Sequence, residues 1–135
     1  MSTRTENKRA VIELFARVSA NDIDGAMALV ADDVSWRVPG KPELLAMAGL
    51  YDKKRLRYLF DVMRSQLQQG LAMTVVHAIA EDDCVAAEVE GSGELKNGRS
   101  YRQQYHFMIR VRDGKIATVH EYFDTLHAHD IWIRR

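Results

Sequence analysis

The chain has 135 residues, 47% hydrophobic and 28% charged, values that describe a globular chain able to bury a core rather than a disordered or fibrous one. Lys+Arg and Asp+Glu both number 19, so no surplus positive charge is available for nucleic acid or an anionic membrane surface. No apolar run nears the roughly 20 residues of a membrane span, the polar start M-S-T-R-T-E-N-K-R reads as no secretory leader, and the single Cys84 suits a reducing cytoplasm.

Residues 1–135 are accordingly expected to form one domain, and the elements follow in order. Val11, Leu14, Phe15 and Val18 recur at helical spacing within residues 4–20, with Arg9, Glu13 and Arg17 on the opposite side. Asn21-Asp22 interrupts that helix, and Asp22 can cap a shorter one carrying Ala26, Met27, Leu29 and Val30. Val34 to Val38 alternates as a short strand closed by Pro39-Gly40, and Lys41 to Tyr51 reads as a loop able to act as a lid. Asp52 caps a third helix whose stripe is Leu56, Leu59, Phe60, Met63 and Leu67, stopped by Gly70.

From Leu71 the apolar period becomes two. Strands are expected at 71–80, 84–95, 99–111 and 115–124, joined at Glu81-Asp82-Asp83, Asn97-Gly98 and Asp113-Gly114; the last two pairs are strong signals for type I′ turns. Helices first and a meander afterwards define an α+β fold, with three helices packed on one face of a curved, mainly antiparallel sheet.

Spacing around the Asp113-Gly114 turn pairs Arg112 with Lys115 and, counted back, His106 with Glu121. Directly opposed residues place their Cβ atoms about 4.5–5.5 Å apart, close enough for imidazole and carboxylate to meet. The same face would hold Met108, Val119 and Phe123. The opposite face would hold Tyr105, Phe107, Ile109, His120, Tyr122 and Asp124, and it is the more apolar of the two. By alternation alone that face is the core.

Two stretches carry a family resemblance. The helical pair at S-A-N-D-I-D-G-A-M-A-L-V-A-D-D-V runs directly into a strand containing Trp36, and the terminal hairpin reads Y-H-F-M-I-R-V-R-D-G-K-I-A-T-V-H-E-Y-F-D-T. Together they resemble the nuclear transport factor 2-like superfamily, and within it the SnoaL-like polyketide cyclases and ketosteroid isomerases. The resemblance implies a cystatin-like cone enclosing an apolar pocket. It also implies a homodimer through the outer sheet face, here Tyr105, Phe107, His120 and Tyr122. The three functional positions of ketosteroid isomerases fall on Val38, Leu14 and a place at or near His106, all changed, which argues against that activity. The SnoaL-like cyclases place a histidine and an acid where His106 and Glu121 stand. The first hairpin arm is one residue longer than in that family, which admits a bulge that would re-aim His106.

The expected site is therefore His106 with Glu121 as an acid–base pair, walled by Trp36, Leu14, Phe15, Tyr58, Met108, Val119 and Phe123. Such a pair could move a proton beside a carbonyl without metal or organic cofactor. The same pocket without turnover makes a small-molecule-binding or dimeric assembly module, and both readings stay open. His120, His127 and His129 lack acidic or thiol partners at ligand spacing, so no metal site is expected. Asp124 is expected to cap the following turn.

Overall fold

The computed structural model describes residues 3–134. Helix α1 spans Arg4–Ser19, and the Thr3 side chain accepts from the Glu6 N–H at its start. Its stripe of Val11, Leu14 and Phe15 is buried. Asn21, at φ 62°, ends the helix in the left-handed region that asparagine tolerates better than most residues. Asp22 then caps α2, Ile23–Ala28, through a 2.9 Å hydrogen bond from Gly25 N–H. A Cβ on Gly25 would lie 2.2 Å from an Asp22 carboxylate oxygen, so this cap needs glycine there.

Helix α2 stops two residues earlier than the apolar run A-M-A-L-V implies. Val30 opens strand β1, Val30–Val38, which buries Val30, Val34, Trp36 and Val38. Leu29 is the helix C-cap, and its carbonyl already accepts from Ile116 N–H of the last strand, which draws Val30 into the sheet. The segment expected as loop contains strand β2, Gly49–Tyr51, paired with β1 through Trp36 and Tyr51. Helix α3 covers Lys53–Gln66, capped by Asp52. Leu67 leaves the helix and bridges to Leu95.

Strands β3 (Ala72–Glu81), β4 (Cys84–Glu94), β5 (Ser100–Arg112) and β6 (Lys115–Phe123) form the expected meander. Sheet order is β2-β1-β6-β5-β4-β3, antiparallel except where β1 runs parallel to β6. The fold is α+β, helices packed on a curved six-stranded sheet. Along β5, every odd residue from Tyr101 to Val111 is buried and every even one exposed. Phe107 meets Phe15 of α1 with ring centroids 4.8 Å apart.

The β5–β6 turn places Asp113 and Gly114 at φ 52° and 75°, the doubly positive pattern of a type I′ turn. Arg112 pairs with Lys115 as expected, but the register then slips: Val111 opposes Ile116 while Arg110 opposes Thr118. Ala117 is the extra residue of a β-bulge, and beyond it every β6 side chain has changed face. Asp124 follows β6, and its carboxylate accepts from Leu126 and His127 N–H to cap the short helix α4, Thr125–Ala128. The His127 tail is tied down: its ring stacks on Tyr101, and Nε2 accepts from Arg102 N–H at 3.1 Å.

Candidate active site

The bulge decides which polar groups meet the interior. Glu121 opposes Phe107 and His106 opposes Tyr122, so the expected His106–Glu121 pair does not form. His106 is exposed on the outer sheet face. Glu121 points to the helix side, where it lines an apolar cavity between α1, α3 and the concave sheet face.

The cavity offers about 70 Å³ to the centre of a water-sized sphere, several times the roughly 10–15 Å³ that one water needs. Leu14 and Phe15 of α1 form one wall. Leu59, Phe60 and Met63 of α3 form another, and they are only half-buried because they face this space instead of packed atoms. Trp36 lies between: its ring meets Phe60 edge-on at 5.9 Å and Phe107 at 6.2 Å.

Against this apolar lining Glu121 is the one carboxyl among the described residues. Trp36 Nε1–H donates to its Oε1 at 2.7 Å, which fixes the carboxyl plane; no other hydrogen bond reaches it among the described residues. Burial pushes its pKa up from the ordinary 4.5 to about 7, and the indole hydrogen bond to the charged form opposes that rise. Near neutrality both protonation states are thus populated, the condition under which a carboxyl serves as either acid or base.

Tyr105 also lines the cavity. Its hydroxyl shares a 2.7 Å hydrogen bond with that of Tyr101, both buried, and burial raises both phenols above their usual range. The hydroxyl is therefore a neutral hydrogen-bond partner at any physiological pH. Tyr105 needs room: a Cβ on Gly91 of the neighbouring strand would lie 2.7 Å from its ring.

Of the residues expected in the wall, Trp36, Leu14 and Phe15 line the cavity with Glu121. Tyr58 is 72% exposed, one position away from the inward stripe of α3. Met108 lies on the outer face with His106. Val119 is wholly buried in the core and away from the cavity, and Phe123 packs edge-on against Tyr105 beside the C-terminal turn. Tyr105 and Phe107, expected on a subunit interface, are buried under the helices; His120 and Tyr122 remain outside. Strict alternation along β5 already pointed to Tyr105 and Phe107 as core. Among the described residues, no three His, Cys, Asp or Glu side chains are grouped to hold a metal ion.

A cone of helices on a curved sheet, with one carboxyl in an apolar cavity, defines a class of fold and site. The chain belongs to the SnoaL-like domain family of the NTF2-like superfamily, whose family model matches residues 11–119. It is similar to an NTF2-like protein of Burkholderia xenovorans LB400, at 25% identity and TM-score 0.74 over 96% of this chain and 97% of that one. It is also similar to an LEH-like epoxide hydrolase of M. tuberculosis, at 20% identity and TM-score 0.75 over 96% and 88%. TerC, co-crystallised with polyporic acid, shares 20% identity and TM-score 0.80 over 93% and 97%. The latter two likenesses speak for the fold alone. No curated protein shows a significant match to the chain.

Proposed function

We propose that the cavity binds a small, mainly apolar carbonyl compound and that Glu121 moves a proton at the carbon beside the carbonyl. The observation that carries this reading is the Glu121 carboxyl, held by Trp36 in an apolar lining and poised near pH 7. Oε2, free of protein partners, takes the α-proton; the C–H electron pair moves toward the carbonyl oxygen; the Tyr105 hydroxyl donates a hydrogen bond to that oxygen as charge develops. Glu121, now protonated, returns the proton to a different carbon and completes a double-bond shift. Alternatively the enolate carbon attacks a second carbonyl of the same molecule and closes a ring. Neither route needs a metal or organic cofactor, and the single thiol suits work in a reducing cytoplasm. His106 has no part in it.

Similarity to an epoxide hydrolase and to a protein crystallised with polyporic acid adds that this fold accommodates small organic molecules. The rival reading is a binder with no turnover. Deuterium exchange at the α-carbon of bicyclic aromatic ketones, followed by proton NMR at pH 7, separates them. Glu121→Gln is expected to lose about 10²–10⁴-fold of the exchange rate while still binding the ketone. Binding by the wild type without exchange would leave the binder.

The outer sheet face supports a homodimer that keeps Tyr122 from the expected set but not Tyr105 and Phe107, which are buried. Ile79, Met108 and Tyr122 expose 44% or more of their surface there, apolar area that a second copy would cover. The acidic Glu88 and Glu90 on β4 oppose His106 and Gln104 on β5, a mixed pattern that suits a twofold contact. Sedimentation equilibrium of the wild type and of Met108→Lys tests it: a monomeric wild type ends the proposal.

A further inference from the structure

Besides Glu121, only one charged side chain among the described residues borders the cavity. Arg64 of α3 lies one turn beyond Phe60, about 6 Å along the helix axis, and Phe60 meets the indole that holds Glu121. Arg64 is exposed while Glu121 is half-buried, so the cation stands at the cavity's mouth and the carboxyl at its inner end. Asn21 borders the same mouth, its amide against Gly70.

The present partner of Arg64 holds it weakly. Its Nη2 lies 3.5 Å from Asp61 Oδ1, the limit of hydrogen-bonding distance. Asp61 also receives Arg57 Nε at 3.3 Å, and Arg57 in turn binds Asp24 at 2.8 Å. Arg64 can therefore swing toward a ligand without leaving Asp61 unpaired. An anion has nowhere else to go in this cavity. The inner end carries a carboxyl whose ionised form repels it, and the walls between are mainly apolar and, among the described residues, carry no second cation to balance a charge, which is costly there. A guanidinium suits a carboxylate, which it can grip through two parallel N–H donors.

We infer that Arg64, assisted by Asn21, selects ligands bearing a carboxylate at one end of an apolar frame and orients them with the carbonyl end toward Glu121. This inference rests on the cavity being the ligand site, and the test separates the two. Binding of 6-acetyl-2-naphthoate and of 2-acetonaphthone, which lacks the carboxylate, is followed by isothermal titration calorimetry at low salt. The wild type is expected to bind the carboxylate about fivefold more tightly, the size of a good half-exposed ion pair. Arg64→Gln is expected to erase that preference while binding the neutral ketone unchanged; Arg64→Lys keeps part of it. Added salt should shrink the preference in the wild type alone. Equal affinities in the wild type, or a preference that survives Arg64→Gln, overturn the role of Arg64 and leave the cavity reading standing. Binding of neither probe overturns both.

Discussion

Replacing Glu121 by glutamine tests the electrostatics of the site without any substrate. In the folded protein its carboxyl titrates at about 7, against an ordinary 4.5. A carboxyl with a raised folded pKa stays protonated in the native state while the unfolded chain has already lost its proton. Stability is then fully present below pH 4.5 and declines as pH rises through about 7. At about 1.4 kcal/mol per pH unit, the full loss across that window is about 3 kcal/mol, a large part of a typical domain stability of about 5–15 kcal/mol. Glutamine is neutral at every pH and can keep the indole hydrogen bond through its carbonyl oxygen. Urea unfolding at pH 5, 6, 7 and 8 should show the wild type falling relative to Glu121→Gln by about 2–3 kcal/mol across the series, the rest of the loss lying below pH 5. All other ionisable groups are common to both proteins and cancel in the difference. Parallel profiles would refute the reasoning, as would a wild type that gains on the variant as pH rises, since that is the signature of a depressed pKa.

Trp36→Phe removes the one hydrogen bond that favours the charged carboxylate. The stability loss, which levels off above about pH 7 in the wild type, should continue to higher pH in the variant, read from the same urea series, whatever the variant loses in overall stability. His106→Ala, on the exposed face, should change unfolding free energy by no more than about 0.5 kcal/mol and leave α-proton exchange at the wild-type rate. Gly91→Ala brings a methyl within 2.7 Å of the Tyr105 ring and 2.8 Å of Met73 Sδ. It should cost about 1–3 kcal/mol in urea unfolding and perturb the near-ultraviolet tyrosine signal.

Most of the fold could be read from local chemistry. The Asp22 and Asp52 caps, the Asp113-Gly114 turn and the Asp124 cap all fall where residue type alone places them. Strict alternation over β5 likewise identified the buried face. What escaped was decided by tertiary pairing. Val30 belongs to an apolar run that serves a helix or a strand equally well, and only the neighbouring β6 makes it a strand. Gly49–Tyr51 is too short to show a period, and β1 recruits it. Tyr58 fell on the wrong side of α3 through a single step of the helical wheel. The expected pairing of His106 with Glu121 did not form because family position carries no information on which way a strand faces once a residue has been inserted.

The bulge at Ala117 explains why Glu121 is inside at all. With an unbroken ladder, β6 would turn Thr118, His120 and Tyr122 toward the helices and leave Val119, Glu121 and Phe123 outside. The bulge reverses this: Ile116 and Ala117 are both buried, Val119 is wholly buried, and Phe123 packs on Tyr105. Burying a valine or phenylalanine contributes about 1.5–3 kcal/mol, while a buried imidazole without a partner costs about 1–3 kcal/mol. A locally broken ladder forfeits about 1 kcal/mol per hydrogen bond, so the bulged register wins. Glu121, lying between Val119 and Phe123, is carried inward by its neighbours. An ionised carboxylate there would offset much of the gain, and the protein answers by keeping the group largely protonated below neutrality and giving it the Trp36 N–H. The hydrophobic demand of β6 and the poised acidity of Glu121 thus have one cause, the insertion of a single small residue, Ala117, two positions before the inward alternation of Val119, Glu121 and Phe123 begins.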